Sequence, residues 1–148
     1  RNGWTASEAG DITQVMSVPT VLSRLRLPII GSPLFIISNP KLVIEQCKAG
    51  VVGSMPALNA RPASQLEDWL AEITETLAAH DRAHPEAKAA PFAINQIVHK
   101  SNDRLEHDMQ LCAKYKVPII ITSAPVDADS CRLLEGAVLP ADHRRTHR

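Results

Sequence analysis

The segment Pro91–Asp108, PFAINQIVHKSNDRLEHD, combines an apolar run, two adjacent side-chain amides and an amphipathic pattern. The apolar run predicts a strand over Pro91–Ile97, and the later part predicts a helix over Asp103–Lys116. Asn95 and Gln96 fall near the end of this strand. In parallel α/β folds the carboxyl ends of the strands face the ligand, so an amide there is placed to hydrogen-bond a planar heteroaromatic ring. The segment therefore indicates a strand–helix unit and a binding site together.

The same alternation of strand and helix extends over the middle of the chain. Four apolar strands are predicted, each followed by a helix or by the end of the pattern, in the order β-α-β-α-β-α-β. Apolar strands joined by helical crossovers indicate a parallel sheet covered on both faces. The first strand breaks early, at Gly31. The four predicted strands are Pro28–Phe35, Val51–Met55, Pro91–Ile97 and Val117–Thr122.

Two helices carry recognisable start signals. Asn39 followed by Pro40 is a favoured start, and it predicts a helix over Lys41–Ala49. Ser64 and Glu67 form an S-x-x-E capping box at the start of the next helix. That helix carries one apolar stripe at spacings of three and four residues. The stripe consists of Leu66, Trp69, Leu70, Ile73 and Leu77.

Composition narrows the class of protein. The chain has 148 residues, 45% of them apolar, which is enough for one domain with a core. Its 16 basic and 16 acidic residues balance, which argues against nucleic acid or an anionic membrane as a partner. No apolar run approaches the ~20 residues of a membrane span. The cysteines Cys47, Cys112 and Cys131 are widely spaced and form no C-x-x-C, which argues against a zinc site or a redox pair. Such cysteine usage is typical of a reducing, cytoplasmic environment.

Two α/β architectures suit this order of elements. One is an open doubly wound sheet, and the other is the first half, about four strands, of a TIM-type (β/α)₈ barrel, which needs roughly 250 residues when complete. A doubly wound nucleotide site normally has a glycine-rich phosphate turn after its first strand. The turn here has only Gly31, and Pro33 removes an amide that a phosphate could use.

Three sequence blocks carry a resemblance to a known family. They are RLPIIGSPLFIISNP at 26–40, AGVVGSMPALNARP at 49–62 and PFAINQIVHKSNDRLEHD at 91–108. In order and spacing they resemble nitronate monooxygenases, formerly called 2-nitropropane dioxygenases. The resemblance extends from Met16 to Ser123 and favours the barrel architecture.

The resemblance implies a TIM barrel that holds FMN non-covalently and oxidises alkyl nitronates with O₂ to carbonyl compounds and nitrite. It implies that backbone atoms of Ser32, Pro33 and Leu34 lie along the flavin ring, and that Asn95 contacts the flavin. Family members commonly have Met where this chain has Leu34. The catalytic His and the phosphate-binding loops of the family are expected beyond this chain, so no catalytic residue is assigned.

Several other polar residues are candidates for the site or for the protein surface. Thr122 and Ser123 end the last strand, where a hydroxyl could reach the flavin edge. Gln96 lies on the opposite side of its strand from Asn95 and is expected to be structural. His99 follows the third strand and is a weaker candidate base. A surface position is expected for His107, and a loose tail without metal is expected for His143 and His147.

The two ends of the chain break the pattern. We expect residues 1–15 to be a non-native or disordered leader, residues 16–123 to be a partial FMN-binding barrel, and residues 124–148 to be a divergent, disordered tail. We expect the chain to be an inactive fragment of a nitronate monooxygenase, and two alternatives stay open beside it. One is a related FMN barrel that reduces enoyl thioesters, and the other is a truncated, non-catalytic product. The oligomeric state and the physiological nitronate are not indicated by the sequence.

Overall fold

Three parallel strands and the helices between them make up the described part of the chain. The computed structural model describes residues 20–23, 25 and 28–123. The expectations for residues 1–15, for the tail after Ser123 and for Cys131, His143 and His147 lie outside these residues. In chain order the elements are α1 Thr20–Ser23, α2 Pro40–Lys48, β1 Gly53–Pro56, a 3₁₀ turn Ala57–Asn59, α3 Gln65–Ala83, β2 Phe92–Ile97, α4 Leu105–Lys114 and β3 Ile119–Ser123.

The sheet has the order β1-β2-β3, and both strand pairs are parallel. This confirms the predicted parallel α/β organisation. The predicted first strand is reduced to a single parallel pair, Ile30 with Val52. Its shortness has a local cause, because Pro33 has no amide to donate to a ladder and the chain turns directly afterwards, where the Ser38 amide donates to the Leu34 carbonyl at 3.0 Å.

All three longer helices pack on the same face of the sheet. The buried cluster joins apolar residues of α2, α3 and α4 to Met55, Phe92 and Ile94, which share one face of the strands. Residues of the opposite face, Ser54, Ala93 and Asn95, are buried as well, although α2, α3 and α4 do not lie over them. The helices share one face for a topological reason: each strand lies beside the previous one in the same direction, and right-handed crossovers then place every helix on one side.

The apolar stripe of α3 is confirmed. Its residues Leu66, Leu70, Ile73 and Leu77 are buried, and Trp69 packs partly buried against them. The capping box is wrong, because Ser64 already has helical backbone angles and its side chain caps nothing. Backbone carbonyls take that role: Pro62 accepts from the Gln65 amide at 3.0 Å, and Ala63 accepts from the Leu66 amide at 3.1 Å.

The start of α2 follows the prediction within one residue. Asn39 is extended and its side-chain oxygen accepts a hydrogen bond from the Leu42 amide at 3.1 Å, with Pro40 as the first helical residue. Cys47 of this helix is fully buried against β1. A Cβ on Gly53 would lie 2.9 Å from the Cα of Val43, so the close approach of α2 to β1 requires glycine there.

The helical pattern predicts that Leu105, Met109, Cys112 and Ala113 share the inward face of α4. Met109 and Cys112 are buried, but Ala113 is exposed. Asp108, which was not predicted to lie on this face, is fully buried. An ionised group reaches such a position only with partners, and Asp108 has two of them, described below.

Candidate functional site

The carboxyl ends of the parallel strands meet along one edge of the sheet. Asn95 lies near the end of β2, and Ser123 ends β3. The Gly31–Leu34 turn follows the paired residue Ile30, at the same edge and two strands away from β2. The residues that the sequence placed in the site therefore share one edge of the sheet.

Asn95 and Ser123 are brought into direct contact. The Nδ2 group of Asn95 donates to the Ser123 hydroxyl at 2.6 Å and to the Ile121 carbonyl at 3.1 Å. A backbone carbonyl can only accept, so the Ile121 contact determines which way the amide is turned. Asn95 is 7% exposed. Its side-chain oxygen has no hydrogen-bond donor among the described residues, so it is an acceptor held in a fixed direction beside the strand ends.

Thr122 does not join this pair. It is in register with Gln96, whereas Asn95 is in register with Ile121, and residues in register share a face of a parallel sheet. Gln96 is fully buried on the helix-covered face, where its side-chain nitrogen, Nε2, lies 3.5 Å from the sulfur of Cys112 on α4. The expectation of a structural Gln96 agrees with this placement, and we leave Thr122 out of the candidate site.

The turn after Ile30 is held at both of its ends. The Gly31 amide donates to the Val52 carbonyl at 2.8 Å, and the Ser54 hydroxyl donates to the Gly31 carbonyl. At the other end the Leu34 amide donates to the hydroxyl of the buried Ser38 at 2.9 Å. Leu34 can therefore meet a ligand through its half-exposed side chain but not through its amide.

The side chain of Asn59 also holds this loop, and it connects the loops that follow the first two strands. Its Nδ2 group donates to the carbonyls of Leu34 at 3.0 Å and Ser38 at 2.8 Å, and its Oδ1 accepts from the Ile36 amide at 3.2 Å. Sequence reasoning did not single out Asn59, because it lies three residues after the end of β1 and so lacks the strand-end position that drew attention to Asn95.

The tip of the first loop is apolar and exposed. Leu34, Phe35, Ile36 and Ile37 are all exposed, and Ile36 reaches 75%. Arg61 lies over the Phe35 ring, 5.3 Å from its centre. Ile36 has a φ of 66°, which is rare for a β-branched residue and is strained. The loop is thus rigidly held in a conformation that its own sequence does not favour.

His99 lies in the loop after β2, with one of its two ring nitrogens held by a neighbour. Its Nδ1 accepts from the Ser101 amide at 3.2 Å and lies 2.9 Å from the Ser101 hydroxyl. Ser101 therefore occupies the Nδ1 side of the ring and leaves only Nε2 to face a substrate. The expectation of His107 on the surface is met in part: its side chain is half exposed, and Nδ1 lies 3.0 Å from Asp108.

A buried ion pair connects α4 to the loop after β1. Nη2 of Arg104 lies 3.1 Å from Oδ2 of the buried Asp108, and Nη1 donates to the Ala60 carbonyl at 2.8 Å. Together with His107 this accounts for the burial of the Asp108 charge. The sequence analysis missed this pair, although the i,i+4 spacing of an Arg and an Asp was present as a signal.

The two described cysteines are unreactive in character. Burial raises the pKa of the Cys47 and Cys112 thiols to about 11, because a thiolate would lose its hydration there. No group of three or more His, Cys, Asp or Glu residues within the described ranges could hold a metal ion. Within the same ranges, no helix is both long and apolar enough to cross a membrane.

Comparison with protein-family models gave no match, and no curated protein matches the chain significantly.

The groups at the carboxyl ends of the strands are suited to binding: they include the fixed amide oxygen of Asn95, the hydroxyl of Ser123 and the apolar first loop. Such a set suits a flat ligand with a polar rim.

Proposed function

We propose that the chain forms the ring-contacting part of an FMN-dependent nitronate monooxygenase, built on the first strands of a TIM-type barrel. The observation that carries the proposal is the Asn95 amide. Its nitrogen is engaged by Ile121 and Ser123, which leaves its oxygen as a fixed acceptor at the carboxyl edge of the sheet. Family resemblance independently assigns flavin contact to this same residue.

The strand order supports the barrel part of the proposal. A doubly wound sheet reverses its strand order and carries helices on both faces. Here the order advances in one direction from Ile30 through β1 and β2 to β3, and the described helices lie on one side. The same order and one-sided packing are found in consecutive units of a barrel, which supports the proposal; the face that carries Asn95 and Ile121 would then line the interior.

The residues fit the ring of FMN at two points. Asn95 would accept a hydrogen bond from a ring N–H, with Ser123 holding the amide in place. The Ser32–Pro33 turn lies two strand spacings away, roughly 10 Å, a span that a three-ring system can bridge. Leu34 would then pack against the ring through its side chain. When bound, FMN accepts electrons from the substrate and passes them to O₂, while the protein supplies orientation and electrostatics.

We take a nitronate rather than a neutral nitroalkane as the substrate, as the family resemblance implies. A nitroalkane must lose a carbon-bound proton to a base before oxidation, and a base must reach that proton within hydrogen-bond distance. His99, at the strand edge, has its Nδ1 occupied by Ser101. A nitronate is already deprotonated and needs only to be positioned. We propose propyl nitronate as the test substrate and a cytoplasmic location for the protein.

The proposal is tested by flavin uptake together with nitrite release. The full chain is incubated with FMN, O₂ and propyl nitronate, and bound flavin and nitrite are measured against Asn95→Ala and against the matched loop variant Asn102→Ala. We expect flavin uptake that Asn95→Ala lowers and Asn102→Ala keeps, with little nitrite release, because no catalytic residue is assigned within this chain. A folded, flavin-loaded chain that consumes no nitronate but reduces an enoyl thioester would support the alternative reductase. A folded chain that takes up no flavin would support the non-catalytic alternative.

A further inference from the structure

We propose that Asn59 is a positioning residue that holds the first strand–helix loop in its ring-bearing shape. The inference rests on the proposed function, because it takes the Ser32–Leu34 turn as the surface on which a flavin ring lies. Asn59 itself belongs to the next loop along the sheet, directly after β1. Its effect on a ligand would pass through the loop that it holds.

The hydrogen bonds of Asn59 cover the whole loop tip. One side chain accepts from Ile36 and donates to Leu34 and Ser38, so three backbone groups within five residues depend on it. Ser38 adds a second, local contact to the Leu34 amide. Outside the segment, Asn39 donates to the Ile37 carbonyl at 3.3 Å and Arg61 lies over the Phe35 ring, but of these side chains only Asn59 bonds the Ile36 amide.

Backbone strain explains why such an anchor is needed. Ile36 has a φ of 66°, where its branched Cβ crowds the neighbouring carbonyl. The side chain of Ile36 is 75% exposed and gains little from packing. The conformation therefore persists because Asn59 holds the Ile36 amide and the flanking carbonyls.

The chemistry of the anchor requires an asparagine. The amide presents one acceptor and two donors on a short side chain, and all three are used here. Aspartate would keep the acceptor but lose both donors, and alanine would lose all three. We expect the loop to relax toward an ordinary φ at Ile36 in either case, which moves the Leu34 side chain and the Pro33 ring.

The test uses the full chain in four forms: wild type, Asn59→Ala, Asn59→Ala with Ile36→Gly, and Asn102→Ala. Asn102 is the matched control because it also bonds the backbone of a strand-end loop, with Nδ2 2.8 Å from the Ile97 carbonyl. Two quantities are measured: the rate of chymotrypsin cleavage after Phe35, and the FMN dissociation constant from the shift of the flavin absorbance. Glycine at position 36 adopts a positive φ without strain and should replace part of the anchor.

We expect Asn59→Ala to speed cleavage after Phe35 and to weaken FMN binding by about tenfold, with Asn102→Ala unchanged in both. The added Ile36→Gly change should recover FMN affinity at least in part, which a general loss of stability would not allow. Wild-type cleavage and affinity in Asn59→Ala would overturn the proposal, as would a double variant no better than the single one. If wild type takes up no FMN, the proposed function fails, and the cleavage rates then decide whether Asn59 holds the loop.

Discussion

At the residue scale, the strained Ile36 offers a direct test of the loop geometry. Replacing Ile36 by Gly removes the strain of a positive φ, about 1–3 kcal/mol, and introduces the flexibility cost of glycine, about 0.5–1 kcal/mol. We expect the free energy of unfolding to rise by about 1 kcal/mol on balance. Urea denaturation followed by circular dichroism measures it.

Ile37 provides the control for that prediction. It is the next residue, is similarly exposed, and its φ is not positive. Ile37→Gly should therefore lower stability by the ordinary flexibility cost. Equal effects of the two substitutions would show that Ile36 is not strained in solution.

The buried thiols give a second residue-scale prediction. In a Cys131→Ser background, Cys47 and Cys112 should react with a disulfide reagent at pH 8 many times more slowly than in urea. Their burial and a pKa of about 11 keep both as thiols, and the thiolate is the reacting form. Fast modification of two thiols in the native protein would contradict the burial of these side chains.

Polar residues differed in how well the sequence predicted them. Asn95 was found because an amide at the end of an apolar strand is a local signal. Asn59 lacks that signal because it ends the turn after β1, and its hydrogen-bond partners lie 21–25 residues earlier in the chain, where no local pattern shows them. Asp108 was missed for a related reason: its burial depends on Arg104 and on how α4 packs against the sheet.

At the element scale, the packing of α2 on β1 depends on Gly53. A methyl group there would press on the backbone of Val43, which cannot move without shifting the helix. We expect Gly53→Ala to lower the free energy of unfolding by about 1–3 kcal/mol. Thermal or urea unfolding measures the loss.

Gly31→Ala is the comparison for that prediction. The added Cβ would meet only the flexible end of the Gln46 side chain, 2.7 Å from its nitrogen, and that end can swing aside. Its cost should be the smaller of the two. A Gly53→Ala protein as stable as wild type would mean that α2 does not approach β1 so closely.

The contact between α3 and α4 includes an ion pair with a defined pH dependence. Lys114 lies 2.5 Å from Glu67, and its hydrogen bond lowers the pKa of that carboxyl, while Glu67 raises the pKa of Lys114. A lowered carboxyl pKa stabilises the fold above the usual glutamate value and loses that effect as the pH falls through the lowered pKa. A raised lysine pKa stabilises the fold below the usual lysine value and loses that effect as the pH rises.

We therefore expect the Glu67 contribution to be small and present from about pH 5 to pH 10. Urea midpoints of wild type and Glu67→Gln should differ most near pH 7 and converge toward pH 3. Glu72→Gln, an exposed position on the same helix, controls for the loss of a surface charge. Midpoints that differ by the same amount at pH 3 and pH 7 would exclude the ion pair as the cause.

Elements were predictable where one physical signal dominated. The apolar stripe of α3 and the Asn39–Pro40 start of α2 are repeated or strong local patterns, and both were correct. The capping box at Ser64 failed because backbone carbonyls of the preceding turn already accept from the first helical amides. The first strand shrank to the Ile30 pair because Pro33 has no amide for a ladder and the chain turns directly after it, which outweighs the apolar run.

At the scale of the whole molecule, the sheet has two unlike faces. One is filled by α2, α3 and α4, and the other carries Ser54, Ala93 and Asn95, which are buried although the described helices lie on the other side. Sequence periodicity predicted parallel strands but not that the helices would pack on one face only. A strand buried on both faces has the same apolar pattern whether helices or other side chains cover the second face. The structure provides the strand order, which shows an open three-stranded parallel sheet with α2, α3 and α4 on one face.

The central claim is that Asn95 hydrogen-bonds a flavin ring at the carboxyl edge of this sheet, and an FMN titration of the full chain tests it most directly. Flavin absorbance and fluorescence are followed for wild type, Asn95→Ala and the control Asn102→Ala, each first shown to be folded by circular dichroism. The account predicts one FMN per chain in wild type and in Asn102→Ala, with about tenfold weaker binding in Asn95→Ala. Folded wild-type protein that takes up no FMN, or that binds it no better than Asn95→Ala does, would contradict the account.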